Sequence, residues 1–555
     1  MASLTGTQDM VSGARHLSDF FTEEAAGKSG IIEVNGTSNP PVTGLEYDSR
    51  NIKPGNLFFA LPGLHTDGSL YINDSIKNGA AVIVHENDIE DKKSDIVYIK
   101  VKNARFAMSP VSAAFYGFPS RELLVTGVTG TEGKSTTVYL TWQLLRLLGK
   151  KAGFISTVQH CLGGEVLWNT EHQTTPEAPV VQRLLREMAD NGCDYAVIES
   201  SSHGLSPKTN RLGDVNFCSG ILTNLNHEHL EFHGTWEQYR DDKANLFRAL
   251  NNFTQPESAQ LNKWQDFHGP FGVVNADDKS ANFFIKKTRH KVYSFSCTGH
   301  DGDIILEAIK SDAWGSWYEV YIPALGERLE LRDKLPGAYN CANVFAALLA
   351  VSGLLNVPLR EIIHYVKELK PVKGRMTTIE KGQPFEVVVD YAHTPSSFQV
   401  IFPPLRERMD KTGGRIISLF GSAGERDTQK RYDQGQIAAA YSDIIVITDE
   451  DPRGENPMDI LEEIAKGCIA DQGCHADQGC NRNFIRDENL FLIPDRPLAI
   501  RKAVSLARKG DIVIMLGKGH ENSIIYKDKV MPYDEITEAE KALDELISAV
   551  KQQQY

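Results

Sequence analysis

No stretch of the 555-residue chain approaches the run of about 18 apolar residues that a membrane-spanning helix needs. The first residues, Met1 to Gly13, lack the charged segment and apolar core of a secretion signal. They read as a natural tail or an expression remnant, and no signal is expected. Basic residues are in the minority: 59 Lys and Arg against 73 Asp and Glu, a formal charge of −14. That argues against wholesale binding of nucleic acid and leaves open only a local basic groove. Cysteine is sparse, eight in all, with no C-x-x-C pair. Three of the eight, Cys468, Cys474 and Cys480, fall at intervals of six, and Ala-Asp-Gln-Gly-Cys occurs twice, at 470–474 and 476–480. A metal site with His475 can be drawn there, but the spacing is not that of a zinc cluster and suits a duplicated surface loop better. The remaining cysteines fit a reduced, cytosolic protein.

What is present is ordinary globular composition, 24% charged and 41% hydrophobic, in a chain long enough for two to four domains. One stretch organises it: Thr126 to Thr137, T-G-V-T-G-T-E-G-K-S-T-T. The apolar run Leu123-Leu124-Val125 before it reads as a buried strand, and Val138 to Leu148 after it has helical spacing closed by Gly149. Strand, glycine turn and helix N-terminus make a phosphate cradle, because glycines let the backbone approach and the exposed N–H groups favour an anion. Gly130, Thr131, Glu132, Gly133, Lys134, Ser135 and Thr136 are the candidate phosphate contacts. Lys134 supplies charge for the β- and γ-phosphates, and the Ser135 or Thr136 hydroxyl suits Mg²⁺. The spacing departs from the usual P-loop: two residues separate Gly130 from Gly133, and Gly127 lies one residue too far upstream. A plain glycine turn is the alternative.

Strand and helix patterns alternate along the whole chain, which predicts an α/β protein of three domains. Residues 14–120 form a small N-terminal α/β domain with strands at 55–61 and 80–84, closed by a hinge at Phe118-Pro119-Ser120. Residues 121–370 form a central P-loop domain with a parallel sheet. Its strands Tyr195–Glu199, 220–223 and 272–275 end in polar residues, so Glu199, Asn224 and Asn275 are expected around the P-loop crevice. Residues from about 293 to 335 are expected to be antiparallel. Residues 371–555 carry four more buried strands, at 387–390, 416–420, 443–448 and 511–516, and form a doubly wound, Rossmann-like domain without a lysine P-loop of its own.

Several constellations follow the P-loop in a fixed order. They are Glu199-Ser-Ser-Ser-His-Gly-Leu205, then Thr223-Asn-Leu-Asn-His-Glu-His-Leu-Glu-Phe-His-Gly234, then Tyr239-x-x-x-Lys243-x-x-Leu246-Phe247. Farther on stand Leu335-Pro-Gly-Ala-Tyr-Asn340 with Asn343, Gly374-Arg375-Met376, Asp390-Tyr-Ala-His393-Thr-Pro, Gly424-Glu-Arg426-Asp with Lys430-Arg431, and Gly517-Lys-Gly-His-Glu521. Together these resemble the Mur ligases, the ATP-dependent amide-forming enzymes of bacterial cell-wall synthesis, over nearly the whole chain. Tyr47-Asp-Ser49-Arg50, Thr174-Thr175-Pro176 and the Gly-Lys-Gly-His-Glu run are most similar to the branch that extends UDP-N-acetylmuramoyl-L-alanyl-D-glutamate.

The resemblance implies the following roles. Lys134, Glu199, His229 and Lys243 would be catalytic, with Ser135, Glu199, His229 and Lys243 at two Mg²⁺ ions. Lys243 would act as an N6-carboxylysine, a CO₂-derived carbamate that turns a cation into an anion. Asn340, Arg375, Asp390 and His393 would join the P-loop in holding ATP. Ser49, Leu64, His65, Thr66, Thr174, Thr175, Ser202 and Arg211 would hold the UDP-muramyl dipeptide. Arg426, Glu450, Asp451, Pro452, Arg453, Gly517 and Glu521 would hold the incoming amino acid. The implied protein is a bacterial, cytoplasmic, monomeric enzyme of peptidoglycan precursor synthesis, with the bearing on cell shape and division that this supply has. Its partners would be small molecules alone.

The incoming amino acid turns on one departure. Relatives that add meso-diaminopimelate carry Asp-Asn-Pro-Arg where this chain has Glu450-Asp451-Pro452-Arg453. A carboxylate at 451 suits a side chain ending in an ammonium alone, so L-lysine or L-ornithine is expected. Arg453 points the other way, toward meso-diaminopimelate, unless it binds the substrate α-carboxylate or pairs with Asp451 or Glu455. Rival readings are a folylpolyglutamate-type or other Mur ligase, a P-loop ATPase or kinase that forms no amide, and a silent nucleotide-binding scaffold.

Overall fold

The structure, a computed structural model, describes residues 14–62, 67–169, 173–226, 230–255, 264–312, 315–335, 337–469 and 483–553. Leu64, His65, Thr66, His229, Cys474 and Cys480 lie outside the described residues. The chain divides into two compact units, Met1–Lys370 and Pro371–Tyr555.

Beside a two-stranded pair of Arg15–His16 with Pro41–Val42, the first unit contains two larger sheets. The smaller has five strands in the order Ile31–Asn35, Val97–Val101, Val82–His85, Asn56–Phe59, Gly44–Glu46, parallel except at the first pair. Val82, Ile83 and Val84 are all fully buried, as expected of a parallel strand covered on both faces. The helix Ala104–Phe115, whose Asn103 side chain accepts the Phe106 N–H at 2.7 Å, packs its apolar side onto this sheet. The turn at Phe118 is packed rather than free: Ser120 is buried and its Oγ accepts the Asn216 N–H at 3.0 Å.

The larger sheet has eleven strands. At its centre the P-loop strand Leu124–Thr129 lies between Tyr195–Glu199 and Phe217–Leu222, parallel to both. Phe271–Asn275 and Lys291–Ser296 continue the parallel order. The antiparallel part therefore begins later than the sequence suggests, with Ile304–Asp312, Gly315–Ile322 and Glu327–Arg332. The helix Asn340–Leu355 is apolar nearly all round and packs against the P-loop helix Lys134–Leu147 in the core. Among the described residues no single helix is long and apolar enough to cross a membrane.

The second unit holds a six-stranded sheet in the order Thr377–Thr378, Glu386–Val389, Ile512–Met515, Ile416–Phe420, Ile444–Ile447, Leu490–Leu492, parallel apart from the first pair. A separate apolar core covers each face, which makes it doubly wound. The carboxyl ends of its strands deliver Asp390, Asp449-Glu450-Asp451 and Gly517-Lys518 to one edge, where open α/β sheets bind ligands. Cys468 is buried on the helix Pro457–Ile469, and burial pushes its thiol up to about 12. It is a core residue, not a poised metal ligand.

Candidate active site

The P-loop strand runs directly into the turn 130–133, and the helix opens at Lys134, four residues before the apolar periodicity begins. Two glycines shape the turn. Gly130 (φ +150°) leaves no room for a Cβ beside Thr223 Oγ1, and Gly133 (φ +77°) leaves none beside Asn343 Oδ1. The turn is anchored to the neighbouring strand end. Thr131 N–H donates to Asn224 O at 2.8 Å, Glu132 N–H to Asn224 Oδ1 at 2.9 Å, and Thr223 Oγ1 to Glu132 O at 2.6 Å. Asn224 thus reaches the crevice as expected. Asn275, at the end of the next parallel strand, accepts the Asp277 N–H on Oδ1 at 3.0 Å. Gly133→Ala is expected to destabilise the loop by about 1–3 kcal/mol and to abolish nucleotide binding. Calorimetric titration with ATP checks this, and a variant that binds ATP normally would contradict the cradle.

Three charged side chains converge on this turn. Lys134 Nζ folds back onto Thr131 O at 2.7 Å. Ser135 Oγ donates to Glu199 Oε2 at 2.9 Å, and the same oxygen accepts the Thr157 N–H at 2.8 Å. Lys243 is buried, with Nζ 2.6 Å from Gly130 O and 4.6 Å from the centre of the Tyr239 ring, while Tyr239 OH meets Thr131 Oγ1 at 2.9 Å. Sequence separations of 64 and 113 residues are thereby closed around one turn. Asn340 heads the packed apolar helix and accepts from Asn343 Nδ2 at 2.9 Å. Asn343 Oδ1 in turn accepts from Thr137 Oγ1 at 3.1 Å, which ties the two helices together.

Beside the Glu199 strand lie several of the residues expected to hold the second substrate. Thr175 braces the fold: its hydroxyl donates to Glu199 O at 2.8 Å and accepts the Ser201 N–H at 3.0 Å. Arg211 donates to Thr175 O at 2.8 Å and to Glu177 Oε1 at 2.9 Å, and shares that carboxylate with Arg105. Ser202 is buried at the head of one helical turn, and Thr174 is half-buried. Ser49 opens a short turn flanked by the Asp48–Arg50 ion pair.

In the second unit, Asp390 takes the N–H groups of Met376 and Ala392, each at 2.7 Å. Burial raises its carboxyl above the ordinary range, and the Arg375 charge opposes that rise. Arg375 lies 4.6 Å from the Tyr391 ring centre, and His393 Nδ1 meets Tyr391 O at 3.0 Å. Next to these is a tight group of charges. Lys518, fully buried, donates to Asp451 Oδ1 at 2.9 Å and Glu521 Oε2 at 2.5 Å. Glu450 is buried against Gly517 (φ +103°), where an added Cβ would sit 3.1 Å from Glu450 Oε2. That oxygen has no hydrogen-bond partner among the described residues, and burial raises the carboxyl. Arg453, at φ +54°, makes no ion pair among the described residues, and its Nε is buried without a partner. Arg426 is exposed.

Residues 41–116 match the Mur ligase family catalytic domain, 128–351 the Mur ligase middle domain, and 374–519 the Mur ligase glutamate ligase domain. A UDP-N-acetylmuramyl-tripeptide synthetase of Treponema denticola is 48% identical over 92% of this chain and 96% of its own. The chain belongs to the Mur ligase family. This Mur ligase is an ATP-dependent amide-forming enzyme. It is also 34% identical to the UDP-N-acetylmuramoyl-L-alanyl-D-glutamate–2,6-diaminopimelate ligase of Caldanaerobacter subterraneus, over 91% of this chain and 95% of that one. A solved structure of a ligase with that same description matches with a TM-score of 0.59 at 25% identity, covering 93% of this Mur ligase and 97% of that chain.

Sequence reasoning assigned no role to two residues at the centre of the acidic group. Lys518 was visible as the lysine of the Gly-Lys-Gly-His-Glu run. Arg496 carried no signal, being one arginine at a helix start. It is fully buried, paired with Glu535, and donates to Asp449 O at 2.9 Å and Leu516 O at 2.8 Å. It thereby binds together the two strand ends that present Glu450 and Gly517.

Proposed function

We propose that this Mur ligase joins a basic diamino acid, L-lysine or L-ornithine, to the D-glutamate of UDP-N-acetylmuramoyl-L-alanyl-D-glutamate, making a peptidoglycan precursor and releasing ADP and phosphate. The observation that carries the choice of amino acid is the charge balance beside Gly517. Three carboxylates, Glu450, Asp451 and Glu521, surround one buried lysine, Lys518, which pairs with the last two; Glu450 also feels Lys430 and Arg496, and Arg496 is itself paired with Glu535. A substrate ammonium would offset the excess, and a second substrate carboxylate would add to it. Asp451 takes Lys518 and the Ile525 N–H on Oδ1 alone, so its Oδ2 and the unpartnered Glu450 Oε2 are acceptors left for a substrate cation.

A carboxylate is a poor acylating agent, so the D-glutamate carboxylate first takes the γ-phosphoryl group of ATP. Lys134 and the N–H groups at the head of the P-loop helix neutralise the transferring phosphoryl. Ser135 Oγ and Glu199 Oε2, a hydroxyl and a carboxylate 2.9 Å apart, are donors suited to Mg²⁺, and Ser135, Glu199, His229 and Lys243 are the residues that would hold it. Bound Mg²⁺ supplies further neutralisation of phosphate charge. Lys243 would serve as a carbamate, its amine adding CO₂ with loss of a proton. Ser49, Thr174, Thr175, Ser202 and Arg211 would orient the muramyl dipeptide. Arg375, Asp390 and His393 would contact the nucleotide. The amino acid's α-amine, presented by the Arg426 and Arg453 loops, then attacks the acyl phosphate, and the tetrahedral adduct collapses with loss of phosphate.

Arg453 favours a second reading, meso-diaminopimelate, because its guanidinium has neither Asp451 nor Glu455 as a partner and is open to a carboxylate. Phosphate release from ATP, measured with the muramyl dipeptide and each of L-lysine, L-ornithine and meso-diaminopimelate, tests both. Release that needs the dipeptide and prefers a monocarboxylic diamine is the expected result. Preference for diaminopimelate returns Arg453 to recognition of a second carboxylate, and release independent of the dipeptide overturns the assignment.

A further inference from the structure

The loops that carry Arg426 and Arg453 are held by a residue with no part in the reading above. Arg431 lies in the first turn of the helix Gln429–Tyr441, with its side chain 1% exposed. Its guanidinium donates to both oxygens of Glu455 (2.9 Å each), to Glu463 Oε2 (2.8 Å) and to Ala423 O (3.2 Å). Glu455 also accepts the Glu425 N–H. One fork thus spans both loops, 421–428 and 448–456, and the helix that follows each.

The backbone shows what this fork maintains. Glu425, immediately before Arg426, sits at φ +56°, and Arg453 itself at φ +54°. Both are left-handed residues that are not glycine, and such conformations persist only where the surroundings over-determine them. The loops are also in close register. Gly424 N–H donates to Asp451 O at 2.8 Å, and a Cβ on Gly424 would run into Pro452 O. Arg453 is also anchored from the far side, its N–H donating to Ile525 O at 2.9 Å, so this bond and the fork together hold the two left-handed residues. Their effect is to set the direction in which the two arginines leave their loops.

We propose that Arg431 and Glu455 are a positioning pair that fixes the spacing and aim of Arg426 and Arg453, so that both can address the carboxylate of the incoming amino acid. The inference rests on the assignment of those two arginines to the amino-acid site. Arg431→Lys keeps the charge but loses the planar fork, and Glu455→Gln keeps the shape but loses the charge.

The test is steady-state phosphate release with each substrate varied in turn. In Glu455→Gln and in Arg431→Lys the KM for the amino acid is expected to rise about tenfold or more, with the KM values for ATP and muramyl dipeptide within about twofold. A merely structural role would instead lower the melting temperature and move all three KM values together or none, and either pattern overturns the proposal. Arg426→Ala and Arg453→Ala are run alongside. If either raises the amino-acid KM while Glu455→Gln and Arg431→Lys do not, the positioning pair is wrong and the site stands. If neither arginine variant moves that KM, the site assignment itself falls and the pair has nothing to aim.

Discussion

Lys134→Met is expected to lower phosphate release about 10³-fold and to leave folding untouched. The two halves of this expectation come from different contacts. The shape of the P-loop is set without the lysine: Asn224, Thr223 and Tyr239 hold Thr131 and Glu132, and the clearance at Gly130 and Gly133 fixes the turn. Lys134 adds only the bond from Nζ to Thr131 O, from a half-buried side chain, so its loss leaves no buried polar group stranded. What disappears is a cation where negative charge develops during phosphoryl transfer, and no other residue of the turn 130–133 carries a positive charge. Lys134→Arg is expected to rescue little, because the larger planar group does not fit a back-folded position made for a slender stem. Initial-rate assays with far-ultraviolet circular dichroism on the same samples check both halves. A variant that folds and still turns over within tenfold of the parent would remove Lys134 from the chemistry.

The strands were legible because they are buried on both faces and therefore read as unbroken apolar runs, such as Ile444 to Ile447 and Tyr195 to Ile198. The P-loop was legible because glycine, lysine and a hydroxyl have few other reasons to meet at a strand end. Partnership was not legible. The sequence puts Asp451 beside Arg453 and Glu455, and local reasoning offered those residues as one another's partners. In the fold Asp451 belongs to Lys518, 67 residues away, and Glu455 to Arg431, 24 residues away. Thr175 shows the same limit. Its type and place suit a ligand contact, but no local reading supplies the bridge its hydroxyl makes between Glu199 O and the Ser201 N–H. Parallel sheets bring distant strand ends side by side, and periodicity, which reports only which face is buried, cannot say which charges that edge will pair.

Glu450→Gln should make the protein more stable and the enzyme worse. Burial is the largest influence on the Glu450 carboxyl and raises it above its usual 4.5; Lys430, Lys518 and Arg496 oppose the rise. Below about pH 4 the group is protonated in both the folded and unfolded chain and costs nothing. As pH climbs through the unfolded value the unfolded chain ionises first, and folding stability falls until the folded value is passed, after which the loss is constant. The amide removes that loss, so the variant's gain, about 1–3 kcal/mol at most, should be absent in acid and should grow as pH rises through the unfolded value. Urea unfolding at several pH values measures it. The same unpartnered Oε2 that costs stability is an acceptor for a substrate ammonium, so kcat/KM for the cationic diamine should drop about 10²-fold. Greater stability with lower activity is the signature of a group kept at a cost for its ligand. A gain in stability with no change toward L-lysine, L-ornithine or meso-diaminopimelate would mean that the carboxylate never meets the substrate. A loss confined to the monocarboxylic diamines would tie the charge excess beside Gly517 to the choice of amino acid.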